Sequence, residues 1–122
     1  MAKIMAVDDE PDTIKLINKI LKGAGYGFVG CLSGKECLEK LKKEKPDLVL
    51  LDIMMPEMDG WEVYERIKKI NKKQRVAFLT VLRATDESRV GMAKMGVEDY
   101  ITKPFEPNEL LYGVKTILEK KP

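Results

Sequence analysis

The sequence predicts a doubly wound α/β domain, with a five-stranded parallel sheet covered by helices on both faces. Short apolar runs alternate five times with amphipathic helical patterns, and the connections between them are short. Such strand–helix–strand units are joined by right-handed crossovers, which place helices on both faces of a parallel sheet. The length of 122 residues suits one domain with one well-formed core. We therefore expect residues 1–122 to form a single domain.

The predicted strands are short apolar segments. Residues 4–7 and 48–51 are entirely apolar, which is typical of central strands buried on both faces. Residues 26–30 contain two glycines and suit an edge strand. The five predicted strands are residues 4–7, 26–30, 48–51, 76–80 and 97–102.

The helices are predicted from apolar residues three and four positions apart and from signals at their N-termini. Pro11 suits the first turn of the first helix. Ser33 and Glu36 have the spacing of a capping box, and Asp59 and Glu62 repeat it. The five helices are predicted at about 11–23, from Ser33, from Asp59, near 86–95 and after Pro107.

The apolar faces of these helices are expected to cover the sheet. The first helix offers a face of five aliphatic residues, the second a face that includes one cysteine, and the third a narrower aliphatic face. The expected inward-facing residues of these three helices are Ile14, Leu16, Ile17, Ile20 and Leu21, then Cys37, Leu38 and Leu41, then Val63, Ile67 and Ile70.

Composition argues against several classes of protein. A net charge of +2 predicts no direct binding of nucleic acid, and we interpret the lysine-rich segments 41–46 and 67–75 as solvated helix ends. No apolar run approaches the roughly 18 residues of a membrane span. The N-terminal segment is too short and too acidic for a signal peptide, so we expect a cytoplasmic protein without membrane contact.

The two cysteines and the lack of histidine argue against further kinds of functional site. Cys31 and Cys37 match no zinc-site spacing and are too few for a disulfide framework, so reduced thiols are expected. The chain has no histidine, which removes the usual general base and the usual transition-metal ligand.

Polar residues follow the carboxyl ends of the predicted strands, which is where doubly wound sheets bind ligands. If the first and third strands are neighbours, three carboxylates meet within several ångströms. Two such charges 4 Å apart repel by about 4 kcal/mol at an effective dielectric constant near 20. The residues concerned are Asp8, Asp9 and Glu10 after the first strand, Asp52 after the third, Thr80 at the fourth and Lys103 after the fifth.

A cluster of oxygen ligands without histidine or thiolate favours a hard divalent cation. Mg²⁺ fits best because it keeps several waters and needs few protein oxygens, and Mn²⁺ is an alternative. Lys103 brings a second positive charge to the same edge, and the two cations together suit a phosphoryl group. Asp52 is therefore predicted to be a nucleophile that forms an aspartyl phosphate. Apolar residues 54–56 are expected to limit water there.

Four segments, in this order, resemble the response-regulator receiver domains of two-component signalling. The resemblance extends from residue 3 to about residue 120 and implies a flavodoxin-like fold with five helices and the strand order 2-1-3-4-5. The matching segments are VDDEP (7–11), LLDIMMPEMDGWE (50–62), FLT (78–80) and DYITKPF (99–105).

The resemblance implies the phosphoacceptor and the metal ligands. Asp52 is the residue that becomes phosphorylated. Asp9 and Asp52 bind the metal directly, together with the backbone carbonyl of Met54. Asp8 binds the metal mostly through water.

The resemblance also implies the residues that sense the phosphoryl group. Lys103 contacts its oxygens, and the Thr80 hydroxyl moves to hydrogen-bond one of them. Tyr100 occupies the position of the aromatic switch residue that turns inward when Thr80 moves. The Lys103–Pro104 peptide bond is expected to be cis.

Three residues depart from what is common in this family. Val81 is larger than the usual alanine or glycine and is expected to crowd the phosphoryl site. Met54 and Leu82 are apolar where the family is often polar, so neither could easily orient an attacking water. We therefore predict a long-lived phosphoaspartate.

The leading hypothesis is a phosphorylation-activated switch. A sensor histidine kinase supplies the phosphoryl group, and the domain catalyses only its own phosphorylation and dephosphorylation, so it is not an enzyme that turns over a substrate. Phosphorylation then shifts the surface of the fourth and fifth predicted helices and the fifth strand. That surface controls a downstream effector protein or output domain, and a phosphorylation-dependent homodimer stays open.

Three other functions fit the sequence less well. A haloacid-dehalogenase-like phosphatase needs an acid two residues after its nucleophile, where this chain has Met54. A flavodoxin-like nucleotide or flavin carrier needs a first loop that attracts phosphate, whereas residues 8–10 are acidic. A phosphate-independent, receiver-like interaction module remains the main alternative, although the complete set of site residues argues against it.

Overall fold

A computed structural model describes residues 2–80 and 99–120 of the chain. Its five strands form one parallel sheet in the order β2-β1-β3-β4-β5. This order confirms the predicted topology and the edge position of the second strand. The strands are β1 (Lys3–Val7), β2 (Gly27–Cys31), β3 (Leu48–Asp52), β4 (Val76–Thr80) and β5 (Asp99–Thr102).

The described residues contain four helices. The predicted helix near residues 86–95 lies outside the described part of the chain, so the helix that follows Pro107 is numbered α4. The helices are α1 (Pro11–Gly23), α2 (Gly34–Glu44), α3 (Gly60–Ile70) and α4 (Pro107–Glu119). Among these helices, none is both long enough and apolar enough to cross a membrane.

Strand residues alternate between two cores, one on each face of the sheet. Val7, Leu51 and Phe78 belong to the core that α2 and α3 cover, whereas Leu50 and Leu79 belong to the core on the opposite face, with residues of α1 and α4. Every residue of β3 is buried, as expected for a strand covered on both sides. Each fully buried aliphatic side chain stabilises the fold by roughly 1.5–3 kcal/mol.

Two of the predicted inward-facing residues are exposed. Leu16 is 47% exposed because it lies on the side of α1 opposite to Ile17 and Leu21. Ile70 is 40% exposed because it is the last residue of α3. Helical spacing alone placed both in the core, and the prediction is wrong for both.

The predicted N-terminal signals are used by α2 and α3. Ser33 Oγ accepts a hydrogen bond from the Glu36 N–H at 3.1 Å, and Asp59 Oδ1 accepts one from the Glu62 N–H at 2.9 Å. The Glu36 carboxylate accepts from the Leu32 N–H at 2.6 Å, one residue before the predicted capping-box partner. These bonds satisfy amide groups that have no acceptor inside the helix.

Both cysteines lie in the core on the α2 side of the sheet as free thiols. Burial raises the pKa of Cys31 and of Cys37 to about 12. Because the thiolate is the reactive form, both thiols are inert at neutral pH.

We expect the folded protein to react with a thiol reagent such as dithionitrobenzoate only as fast as its core opens. The same chain in denaturant should react at once at both cysteines. Rapid labelling of either cysteine in the native protein would contradict the buried position.

The raised thiol pKa values also predict the alkaline limit of stability. The unfolded thiols lose protons from about pH 9, whereas the folded thiols keep theirs until about pH 12, so the free energy of unfolding falls as pH rises through this window. The free energy of unfolding, measured by urea titration at several pH values, should fall less steeply with pH in the Cys31→Ala/Cys37→Ala variant.

Candidate functional site

The register of the two central strands brings two acids together. Val7 of β1 pairs with Leu51 of β3, so the next residues along each strand, Asp8 and Asp52, leave the sheet side by side at its carboxyl edge. Asp9 follows directly on the first of these strands. The local sequence thus places all three acids at the end of the most buried part of the sheet.

The three carboxylates form one cluster. One carboxylate oxygen from each of Asp8, Asp9 and Asp52 lies within 4.8 Å of the other two. Asp8 is fully buried and Asp52 is 7% exposed, whereas Asp9 is exposed to solvent. The predicted meeting of these acids is therefore present. The fourth acid considered, Glu10, is exposed and forms the N-cap of α1 without a side-chain capping bond.

Lys103 supplies positive charge to the cluster from β5. Its Nζ forms an ion pair with Asp8 Oδ2 and lies 3.6 Å from Asp52 Oδ2. The side chain is only 17% exposed, so water screens this charge weakly. The peptide bond between Lys103 and Pro104 is cis, as expected.

Backbone amides hold the remaining carboxylate oxygens. Asp52 Oδ1 accepts from the Met54 N–H at 3.2 Å, and Asp8 Oδ1 accepts from the Glu10 N–H at 2.9 Å. The Asp8 N–H in turn donates to the Cys31 carbonyl at 3.0 Å. Both buried acids are thus fixed in orientation by the backbone of the loop that follows each strand.

The pKa of Asp52 is raised above its ordinary value of 3.8. Burial is the largest cause, and the negative charges of Asp8 and Asp9 add to it. Lys103 and the hydrogen bond from Met54 act in the opposite direction. The balance leaves an ionised Asp52 short of positive charge, which a bound cation would supply.

A hard divalent cation fits this donor set. The cluster offers carboxylate oxygens from three aspartates, and its exposed member, Asp9, leaves one side open to water. These are the ligands that Mg²⁺ and Mn²⁺ prefer, and Mg²⁺ commonly keeps several waters. The fit rests on the chemistry and grouping of the oxygens.

The loop after Asp52 differs in one respect from the sequence-based expectation. Residues 54–56 were expected to limit water, but Met54 is 65% exposed and Pro56 is also exposed. Only Met55 is buried. Asp52 is shielded by its own position at the end of a buried strand rather than by Met54 or Pro56.

A glycine that the sequence analysis did not single out shapes this loop. A Cβ atom on Gly60 would lie 2.5 Å from the Asp52 carbonyl oxygen and 2.6 Å from the Ile53 Cα. The Gly60 N–H also donates to the Ile53 carbonyl at 2.8 Å. The start of α3 is therefore packed directly on the backbone of Asp52. The Asp59-Gly60 turn in the sequence was the available signal.

The single tryptophan lies beside this glycine. The Trp61 ring contacts Phe78 of β4, with ring centroids 4.8 Å apart and an interplanar angle of 51°. Trp61 is partly buried and also lines, with Met54, an apolar depression of about 480 Å³. The structure therefore shows Trp61 as a packing residue on Phe78.

The two predicted switch residues lie on neighbouring strands. Thr80 ends β4 and pairs with Thr102, and Tyr100 of β5 pairs with Phe78. Tyr100 is partly buried and packs against the core on the α2 side of the sheet. Val81 and Leu82, which were expected to slow phosphoryl loss, lie outside the described residues.

A family model and similar known proteins point to the same protein family. The family model described as "Response regulator receiver domain" matches residues 4–115. The alkaline phosphatase synthesis transcriptional regulatory protein PhoP of Bacillus subtilis is 39% identical in an alignment of 121 positions that covers 97% of this chain and 49% of that protein. The regulatory protein VanRc of Enterococcus gallinarum is 33% identical, over 97% of this chain and 50% of its own. The chain spans about half the length of these relatives.

Solved structures show the same similarity across the whole fold. The chemotaxis protein CheY4 of Vibrio cholerae superposes with a TM-score of 0.88 at 29% identity, covering 96% of this chain and 98% of that one. A response regulator receiver domain protein of Methanospirillum hungatei superposes with a TM-score of 0.87 at 30% identity, covering 98% of this chain and 94% of the other.

Asp52→Asn is expected to stabilise the metal-free protein at neutral pH. The pKa of Asp52 is higher in the folded than in the unfolded chain, so its ionisation costs stability above the folded pKa and costs nothing below the ordinary value of 3.8. A pKa difference of one between the two states corresponds to about 1.4 kcal/mol.

Urea unfolding in chelator should show this gain at pH 7 and its disappearance in acid. Millimolar Mg²⁺ should stabilise the native sequence more than the variant, because an ion held by the three carboxylates would bind the folded chain and not the unfolded one. Equal stabilisation of both proteins by Mg²⁺ would place its binding elsewhere.

Gly60→Ala is expected to destabilise the fold by roughly 1–3 kcal/mol, the range for overpacking, because the new methyl group meets rigid backbone atoms. Gly23→Ala is the matched control, since no atom lies within 4 Å of a Cβ there. Thermal unfolding should separate the two variants, and the idea fails if both behave alike.

Proposed function

The chain belongs to the response regulator receiver domain family, and from this membership we propose that it is a phosphorylation-activated switch with Asp52 as phosphoacceptor. The observation that carries the proposal is the grouping of Asp52 with two further carboxylates and Lys103 at the carboxyl edge of the sheet. The proposal treats residues 1–122 as one receiver domain.

The proposed reaction is an in-line phosphoryl transfer to the Asp52 carboxylate. An oxygen of Asp52 forms a bond to phosphorus while the bond from phosphorus to the histidine nitrogen of the donor breaks, and the imidazole leaves with the electron pair of that bond. The hydrogen bond from the Met54 N–H to Asp52 Oδ1 at 3.2 Å holds the carboxylate in one orientation. Asp52 Oδ2 faces Lys103 at 3.6 Å.

The metal proposed for this site is Mg²⁺, with Mn²⁺ as an alternative. Asp9, Asp52 and the backbone carbonyl of Met54 would hold it directly, and Asp8 would hold it mainly through water. The ion would neutralise charge on the phosphoryl oxygens during transfer. Asp8 also keeps Lys103 in place through their ion pair.

Lys103 is proposed to contact the transferred phosphoryl group. Its ammonium already lies between two buried carboxylates, so it is oriented toward the site before any phosphoryl donor arrives. A preorganised positive charge of this kind stabilises the charge that develops in the transition state. After transfer, the same ammonium would neutralise part of the new negative charge.

The signal is proposed to leave the site through β4 and β5. The Thr80 hydroxyl would hydrogen-bond a phosphoryl oxygen, and Tyr100 would then turn inward. Because Phe78 pairs with Tyr100 and Thr80 pairs with Thr102, both residues lie on one strand pair. The responding surface would comprise β5 and α4; the helix predicted near residues 86–95, which was expected to share it, lies outside the described residues.

The proposed partners are a sensor histidine kinase and a downstream effector protein or output domain. The curated relatives named above are regulatory proteins about twice as long as this chain. A phosphorylation-dependent homodimer would form through the responding surface. Its formation can be read directly from the molecular mass in solution after phosphorylation.

Incubation with acetyl phosphate and Mg²⁺ is expected to add one phosphoryl group, detected by intact mass. Asp52→Asn should abolish the gain. Asp59→Asn is the matched control, because it removes an exposed acid from the same loop and asparagine still caps α3. A label that persists in Asp52→Asn or is lost in Asp59→Asn would overturn the assignment, and a protein that never gains mass would favour a phosphate-independent module.

The phosphoaspartate is expected to be long-lived, because the exposed apolar side chain of Met54 cannot orient a water for attack. Met54→Glu should shorten its half-life by about tenfold or more, since positioned acid–base groups contribute at least that much. Met54→Leu should leave it unchanged. Loss of label within seconds from the native sequence would contradict the prediction.

A further inference from the structure

The edge of the sheet opposite Asp52 has a groove between the C-terminal ends of α2 and α3, called here the basal groove. It has a volume of about 530 Å³. Its apolar lining residues are Leu41 and Pro46, which are buried, and Ile70, which is exposed, and Lys42 and Lys45 also line it. We propose that the basal groove binds an acidic segment of a partner protein that carries an aliphatic side chain at its centre. This proposal is independent of phosphorylation at Asp52.

The basal groove is lined by two lysines, Lys42 and Lys45, and further lysines lie on the same helix ends. Within residues 2–80 and 99–120, the exposed lysines at the ends of α2 and α3 take part in no ion pair; they are Lys42, Lys43, Lys45, Lys69, Lys72 and Lys73. The nearby acids Glu44 and Asp47 are both engaged by Lys3. The two lysine-rich segments were predicted to be separate solvated helix ends, whereas residues of both line one groove: Lys42 and Lys45 come from the first segment, and Ile70 and Gln74 from the second.

The groove is preformed. Gln74 is buried, and its Nε2 donates to the Pro46 carbonyl at 3.1 Å and to the Arg75 carbonyl at 3.2 Å. Lys68 Nζ donates to the Gln74 carbonyl at 2.5 Å and thereby fixes the turn after α3. These bonds join the segments before β3 and β4, so a ligand meets a surface that is already ordered.

Two features of the groove are unusual for a solvated helix end. Ile70 lines the groove and is 40% exposed, although it is a large aliphatic residue. Lys45 ends α2 with φ 48° and ψ 59°, a left-handed conformation that favours glycine. A lysine at this position keeps a positive charge at the groove in place of the residue that the backbone prefers.

Charge complementarity and the apolar floor together select the occupant. Carboxylates of a partner would pair with Lys42 and Lys45, while an aliphatic side chain would cover the exposed part of Ile70. A nucleic acid backbone has no apolar group for this floor, and a net charge of +2 gives no broad attraction for a polyanion. An acidic protein segment with a central aliphatic side chain matches both the lysines and the apolar residue of the groove.

Docking in the basal groove leaves the phosphoacceptor accessible. The groove adjoins the start of β3 and Asp52 ends it, so the five residues of the strand separate them by about 16 Å at roughly 3.3 Å per residue. A bound segment would therefore not cover the acid cluster. The domain could hold one partner at this edge while it receives a phosphoryl group at the other.

The test uses the full chain and a synthetic peptide with a central pair of leucines flanked by glutamates. Amide chemical shifts should change around Leu41, Pro46 and Ile70, and binding should weaken as salt rises. Lys42→Glu/Lys45→Glu should weaken binding by about tenfold or more, because attraction becomes repulsion. Lys45→Gly should also weaken it without loss of stability, since glycine suits the left-handed backbone.

The matched control is Lys15→Glu/Lys19→Glu, which reverses two exposed lysines on α1. It should bind the peptide as the native chain does, and both double variants should keep normal labelling by acetyl phosphate. The proposal is overturned if the control weakens binding equally or if a peptide with central serines binds as well. It is also overturned if duplex DNA or phosphatidylglycerol vesicles bind the same lysines more tightly than the peptide.

Discussion

Asp8 and Asp52 leave the sheet next to each other because Val7 and Leu51 are paired in parallel register. Both residues are nearly fully buried, so neither carboxylate is fully hydrated in this position. Within the described residues, the positive charge of Lys103 offsets the repulsion between the carboxylates directly. Burial nevertheless raises the pKa of Asp52. The arrangement of loops at this edge follows from the need to hold two negative charges close together.

The helices reinforce the polarity of the domain. In this fold each helix runs antiparallel to the strand before it, so its positive N-terminal end lies at the acidic edge and its negative C-terminal end at the basal edge. Lys42 and Lys43 end α2, and Lys68 and Lys69 end α3, where they compensate the dipoles. The acidic residues at one edge of the sheet and the lysines at the other edge therefore agree with the direction of the helix dipoles. The basal groove would use lysines beyond those that the dipoles require.

Most of the fold could be predicted because it depends on local patterns. Alternating apolar runs locate every strand to within one or two residues, and the acids at strand ends mark the site. The wrong predictions have physical causes that depend on tertiary structure and cannot be read from a single segment of the sequence. Leu16 points away from the sheet on a helix that is apolar on more than one side, and the exposure of Met54 depends on the path of a loop. Gly60 matters only because α3 starts against Asp52.

The contact between Trp61 and Phe78 has a practical consequence. It is the chain's sole indole, and it joins the first turn of α3 to the strand that ends at Thr80. An aromatic ring held at 4.8 Å from a neighbour on that strand is sensitive to small displacements of either element. The protein thus carries an intrinsic fluorescent group whose emission reports on the contact between α3 and β4 without an attached dye.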